Sequence, residues 1–284
     1  MTEDEPHRRG PRRRAVLATG AVTALGLAGA WVARDPLQET MDQLAQDDPA
    51  TPSTDPTSVA AEQLPRHDQL AGTRLYYEIS GTPTGFRIEP AFAARLSATL
   101  ARHWTYLPAP APTQIWSYGA WVRPEDRPRP SWHHAGRAFD LARVRASDGQ
   151  DLVSCRYDLW QNSSGAQRAA IERAYWRMAA SLHHDFEFVL TYLYDEAHHN
   201  HIHVDDGRSG PAGSTFSPGS RVQVQAVQAM CRHVWGHDIR ASGSWDDDTR
   251  SATQDVLERV GVGGRLTQGQ RHWRAFLDGT ARRS

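Results

Sequence analysis

The chain has 284 residues, 39% of them hydrophobic, with 32 basic side chains against 33 acidic ones and a formal net charge of -1. That near-neutral balance gives no basic surface field and argues against nucleic acid as a partner. All 32 basic residues are Arg, which suits a GC-rich genome and assigns no function. Two cysteines, Cys155 and Cys231, leave open a disulfide or a pair of buried thiols.

In chain order, Arg8, Arg9, Arg12, Arg13 and Arg14 precede an uncharged stretch from Ala15 to Ala33 that ends near Ala28, Gly29 and Ala30. This is the pattern of an export signal over residues 1–33, and "RRAVLA" resembles the twin-arginine motif of proteins exported in the folded state. A secreted, extracytoplasmic location is the expectation. An uncharged run of this length can just span a bilayer. Gly20, Thr23, Gly26 and Gly29 make it a weak anchor, so membrane contact is expected only through an uncleaved signal. Residues 34–68 are acidic and rich in Pro, Thr and Ser, with too little apolar content to bury a face, and read as a disordered linker.

From residue 69 to 208 apolar periodicity returns in a length that suits one domain. "RLYYEIS", "TQIWSYGAWV", "AFDLARV" and "FEFVLTYLY" are short β-branched and aromatic runs that predict strands. Two segments predict amphipathic helices. One places Phe92, Leu96, Leu100 and Trp104 at intervals of four, and the other places Ile171, Tyr175, Met178 and Leu182 at intervals of three and four. The fold class this implies is α+β, a small antiparallel sheet with flanking helices. A Gly-, Ser- and Pro-rich linker over 209–219 then leads to a compact helical unit over 220–284.

Two histidine-bearing stretches carry the chemistry. "SWHHAGRAFD" reads S-x-H-x-x-G-x-A-x-D through Ser131, His133, Gly136, Ala138 and Asp140. About 60 residues on, "HHNHIHVDD" holds His198, His199, His201 and His203, followed by Asp205 and Asp206. Because strand side chains alternate, His201, His203 and Asp205 share one face while Ile202 and Val204 point to the other. Zinc catalysis typically uses three protein ligands and an open fourth position. Neutral imidazoles with one carboxylate leave such an ion net positive, able to acidify water and polarise a carbonyl.

Together the two motifs resemble those of LAS-type zinc peptidases of bacterial cell walls: D-Ala-D-Ala carboxypeptidases and dipeptidases, murein endopeptidases, and the related extensin-like C-terminal domain family. The resemblance covers roughly residues 75–206. It implies His133, Asp140 and His203 as zinc ligands and hydrolysis of peptide bonds in peptidoglycan. The carboxypeptidases carry a Glu three residues before the last ligand, where this chain has Asn200. The pattern H-x-x-H-x-H through His198, His201 and His203 is that of the endopeptidase-like and extensin-like members, so an endopeptidase is implied. His201, and secondarily His198, are then the residues that move a proton or stabilise the oxyanion. His134 and His199 are expected to be exposed, Ser131 to orient a ligand, Gly136 to permit the turn between ligands, and Asp205 to orient an imidazole or end the strand in solvent. The family's S-x-x-R arginine is absent: Ser117 is followed by Tyr118, Gly119 and Ala120, which leaves Arg123 or Arg137 for its role.

The tail resembles the small three-helix peptidoglycan-binding domain through Val224, Val227 and Gln228, then Gly243, Trp245 and Thr249, then Gly264, Leu266, Trp273 and Leu277. Asp247 and His272 depart from that pattern. A tethered wall-binding unit would raise local enzyme concentration on peptidoglycan. A second reading stays open, a non-catalytic wall-binding protein with a structural or vestigial zinc site, because metal binding does not imply turnover.

Overall fold

The computed structural model describes residues 57–126, 130–207 and 213–284; the expected export signal and residues 34–56 of the first linker lie outside the described residues. Its strands are β1 (Arg66–His67), β2 (Gln69–Leu70), β3 (Thr73–Tyr77), β4 (Thr82–Pro83), β5 (Phe86–Arg87), β6 (Gln114–Gly119), β7 (Ala138–Arg145), β8 (Asp151–Ser154), β9 (Phe188–Leu190) and β10 (Ile202–Asp205). The helices are α1 (Pro90–Trp104), α2 (Tyr157–Trp160), α3 (Gly165–Asp185), α4 (Arg221–His233), α5 (Asp247–Arg259) and α6 (Gln270–Arg282). The class is mixed α+β. No helix among the described residues is long and apolar enough to cross a membrane.

Local sequence sets the helix ends. Glu89 caps α1, its carboxylate accepting the Phe92 N–H at 2.7 Å, with Pro90 at the first helical position, where a missing N–H costs nothing. Phe92, Leu96 and Leu100 then face inward, as their spacing requires.

The main sheet runs β2-β3-β6-β7-β10-β9, with β4 beside β3 and β8 beside β7. It is not the antiparallel sheet expected from the sequence, since β3 and β6 pair in parallel from Arg74↔Gln114 to Tyr77↔Ser117. A parallel pair needs a crossover long enough to return the chain to the same end, and α1 lies in that connection. The predicted run at 186–194 forms a strand only over Phe188–Leu190. Residues 57–68, assigned by composition to the linker, include a single 3-10 turn at Ala61–Gln63, the buried Leu64, and β1.

Strand β7 organises the site. One edge pairs with β6, and the other is shared by β10 against residues 138–141 and β8 against residues 143–145. Phe139, Leu141, Ile202 and Val204 are all buried in the core that holds Tyr175, Met178 and Leu182 of α3, so the intervening Asp140 and His203 face away from it. These two are direct cross-strand partners. A one-residue slip of β10 would turn Ile202 and Val204 outward, at about 1.5–3 kcal/mol each, and bury His203. Core packing therefore fixes the register that joins Asp140 to His203.

The same core continues into α4–α6 through Val227, Met230, Trp273, Phe276 and Leu277. Gln228 is fully buried and ties a loop together. Its amide donates to Ser242 Oγ, the Ser244 carbonyl and Thr249 Oγ1, and its oxygen accepts the Gly243 N–H. Gly243 has φ +80° there, a conformation that favours glycine. Cys155 and Cys231 are both buried free thiols.

Candidate metal centre

His133 lies on a short 3-10 helix, Trp132–Ala135, capped by Ser131, whose hydroxyl accepts the His133 N–H at 3.4 Å. Ser131 thus supports the backbone of the loop rather than the ring. The turn ends at Gly136 with φ +66°, and a Cβ there would come within 2.7 Å of Leu64 Cδ1. The left-handed φ favours glycine, and any larger side chain would push Leu64 aside. His134, expected to be exposed, is buried, because alternation holds on extended chain and this segment is helical. His199 is half-buried, its ring centroid 4.9 Å from that of Tyr157.

Three side chains converge. His133 Nε2 is 3.2 Å from His203 Nδ1 and 3.3 Å from Asp140 Oδ1, and His203 Nδ1 is 2.9 Å from Asp140 Oδ1. Donors tetrahedrally placed around zinc at its usual bond lengths stand about 3.3 Å from one another, so the spacing fits a small cation. Among the described residues this is the one group of three or more potential ligands close enough to hold a metal ion.

The outer nitrogens decide which lone pairs face inward. His133 Nδ1 lies 2.5 Å from the Ala120 carbonyl, an acceptor only, so its proton sits there and Nε2 is free to ligate. His203 Nε2 lies 3.1 Å from Asp205 Oδ2, which holds that proton and turns Nδ1 inward. Asp205 is buried and its other oxygen accepts the Gly207 N–H at 2.9 Å. It therefore orients a ligand rather than ending the strand in solvent. A carboxylate or carbonyl behind each imidazole is the support that metal-ligating histidines use.

Without a cation, protons must do the same electrostatic work. Burial opposes charge on His203, but hydrogen bonds to Asp140 and Asp205 outweigh it and lift its pKa to about 9. Burial alone would raise Asp140, yet the imidazoles of His133 and His201, with hydrogen bonds from His133 and His203, hold it well below the usual carboxylate range. His201 is pushed down to about 3 by burial, against the pull of Asp140.

The other two histidines stand beside this group. His201 Nε2 is 3.4 Å from Asp140 Oδ1, while its Nδ1 meets Asn200 Oδ1 at 2.5 Å. His198 ends a single 3-10 turn (Glu196–His198) capped by Asp195, which also accepts from His198 Nδ1 at 2.6 Å. The His198 ring centroid is 5.1 Å from that of His201 and 6.0 Å from that of His203. Asp195 was missed at the sequence level, although D-x-x-H is an N-cap spacing. Tyr118 was missed too. It is the extra residue of a β6 bulge between Ser117 and Gly119, and its ring lies 6.0 Å from that of His201.

The two expected arginines differ in how they are held. Arg137 is bound to Asp206 at 2.8 Å and lies over the Trp132 ring, and Arg123 is exposed in the loop after β6. The guanidinium of Arg156 instead lies 5.8 Å from the Tyr118 ring centroid, engaged by Asp158 and Glu78. The arrangement can bind a divalent cation and present two further imidazoles to whatever approaches it. No protein-family model matches the chain, and neither a curated protein nor a solved structure matches it.

Proposed function

We propose that the protein is a secreted zinc-dependent hydrolase of peptide bonds in bacterial peptidoglycan, closer to an endopeptidase than to a carboxypeptidase. The observation that carries this reading is the inward convergence of two imidazole nitrogens and one carboxylate oxygen, with the outer nitrogens of both imidazoles occupied. Nitrogen donors with a single carboxylate suit zinc. A zinc ion held by His133, Asp140 and His203 would supply Lewis acidity, activating water and polarising the scissile carbonyl.

The chain's own residues supply the proton chemistry. Burial pushes the pKa of His201 down to about 3, so it is a neutral imidazole at neutral pH, placed to take a proton from the attacking water and hand that same proton to the leaving amine. His198 has its Nδ1 proton held by Asp195, so its Nε2 is the nitrogen left to accept a proton, and the carboxylate stabilises the imidazolium that forms. With Asn200 rather than Glu before the strand, no carboxylate base is available at that position. The tail, with its buried Gln228 and Trp273, is assigned to binding the wall.

The test combines elemental analysis of the purified protein with mass spectrometry of digested muropeptides. Stoichiometric zinc and release of cleaved cross-links support the hydrolase. Zinc with no cleavage product favours the non-catalytic wall-binding protein, and no zinc removes both.

A further inference from the structure

Residues 57–64 make a built contact with the loop that carries His133, and the hydrolase reading does not use them. Val59 bridges two parts of that loop's support. Its N–H donates to the His134 carbonyl at 2.9 Å, and its carbonyl accepts from Trp121 Nε1 at 2.9 Å. Trp121 directly follows Ala120, whose carbonyl fixes the His133 ring. Five residues beyond Val59, Leu64 is buried beneath the left-handed turn at Gly136. Arg87 anchors the segment from β5, donating to the carbonyls of Ala61 and Leu64, the latter at 2.8 Å.

We propose that residues 57–64 are a strap that positions His133, so that metal occupancy is coupled to the chain segment leading in from the linker. The proposal rests on the metal reading of this site and not on its hydrolytic activity. His133 sits on four residues of 3-10 helix, an element with few internal hydrogen bonds that opens easily. The strap adds a backbone hydrogen bond and an apolar plug, both of which favour the closed loop. Val59 and Leu64 are positioning residues that act through His134, Gly136 and Trp121.

The test uses full-length Leu64→Ala, Leu64→Met and Trp121→Phe. Three readouts apply: zinc affinity by chelator competition, the visible spectrum of the cobalt-loaded protein, and amide exchange of residues 131–137 in the metal-free protein. Leu64→Ala is expected to lose about tenfold or more in zinc affinity, the scale seen when the support of a ligating histidine is cut. It should also exchange faster over 131–137 and show an altered cobalt spectrum, while Leu64→Met restores all three. Trp121→Phe removes one hydrogen bond and should cost roughly fivefold in affinity; it decides the matter if Leu64→Ala fails to fold. Parental affinity and parental exchange over 131–137 in the folded variants overturn the strap. A parent protein that binds no zinc overturns the coupling together with the metal reading, whereas zinc binding without wall cleavage removes only the hydrolase.

Discussion

Zinc binding should compete with a proton on His203. In the metal-free protein Asp140 and Asp205 lift the pKa of that imidazole to about 9, so at pH 7 it carries protons on both nitrogens. A metal needs the Nδ1 lone pair and must displace the proton that Nδ1 shares with Asp140 at 2.9 Å. Between pH 7 and 9 the affinity is therefore expected to rise about tenfold per pH unit, roughly 100-fold or about 3 kcal/mol in all, and to level off above pH 9. Folding of the metal-free protein responds with the opposite sign. The stabilisation from charged His203 is fully present below its unfolded value near 6.5 and is lost as pH rises through about 9. Calorimetric titration at pH 7.5 in buffers of different ionisation enthalpy, with zinc supplied from a chelator buffer, measures the protons released. At least one proton per zinc is expected, the one displaced from His203. An affinity that is flat between pH 7 and 9, with no proton released, would refute the linkage.

Three further outcomes test neighbouring parts of the site and tail. His203→Ala should lose bound zinc and turnover together, whereas His201→Ala should keep zinc and lose about 10²- to 10⁴-fold in rate on wall fragments; loss of metal in folded His201→Ala would make His201 a ligand. Asp205→Asn weakens the charge behind His203 and should lower zinc affinity about 10- to 100-fold by chelator competition, with thermal unfolding of the metal-free form as the control. Gln228→Ala strands the Gly243 N–H and Thr249 partners and should cost about 2–3 kcal/mol, read as a lower denaturant midpoint; an unchanged midpoint would show that the loop does not depend on that amide.

What could be read from sequence, and what could not, divides by physical cause. The placement of His203 with Asp205 was legible because a strand's period of two, anchored by Ile202 and Val204, fixes what shares a face, whereas His133 and Asp140 were picked out by the resemblance of their motif and not by periodicity. The helices were legible from the spacing of Phe92, Leu96 and Leu100. The parallel pairing of β3 with β6 was not, since orientation depends on where α1 packs. Nor was the Ala120 carbonyl behind His133, because a backbone acceptor has no side-chain signature and its placement depends on the bulged end of β6. His134 was misplaced for a similar reason: alternation was applied to a stretch that turns as a 3-10 helix. The Asp195 cap three residues before His198 could have been found.

The packing of the tail on α3 bears on how the molecule comes apart. Trp273 Nε1 donates to Ser214 Oγ at 2.7 Å, and the Ser214 hydroxyl in turn donates to the His183 carbonyl of α3. Arg177 of α3 donates to the Ala281 carbonyl at 2.8 Å, and the Trp176 ring stacks with that of His233. The helix that backs the metal-bearing sheet is thus covered on its outer side by α4 and α6, and neither layer keeps its apolar surface dry alone. Heat or denaturant should melt the two in a single cooperative transition. Zinc added at the sheet should accordingly raise the melting temperature reported by Trp273 as much as that reported by the site itself.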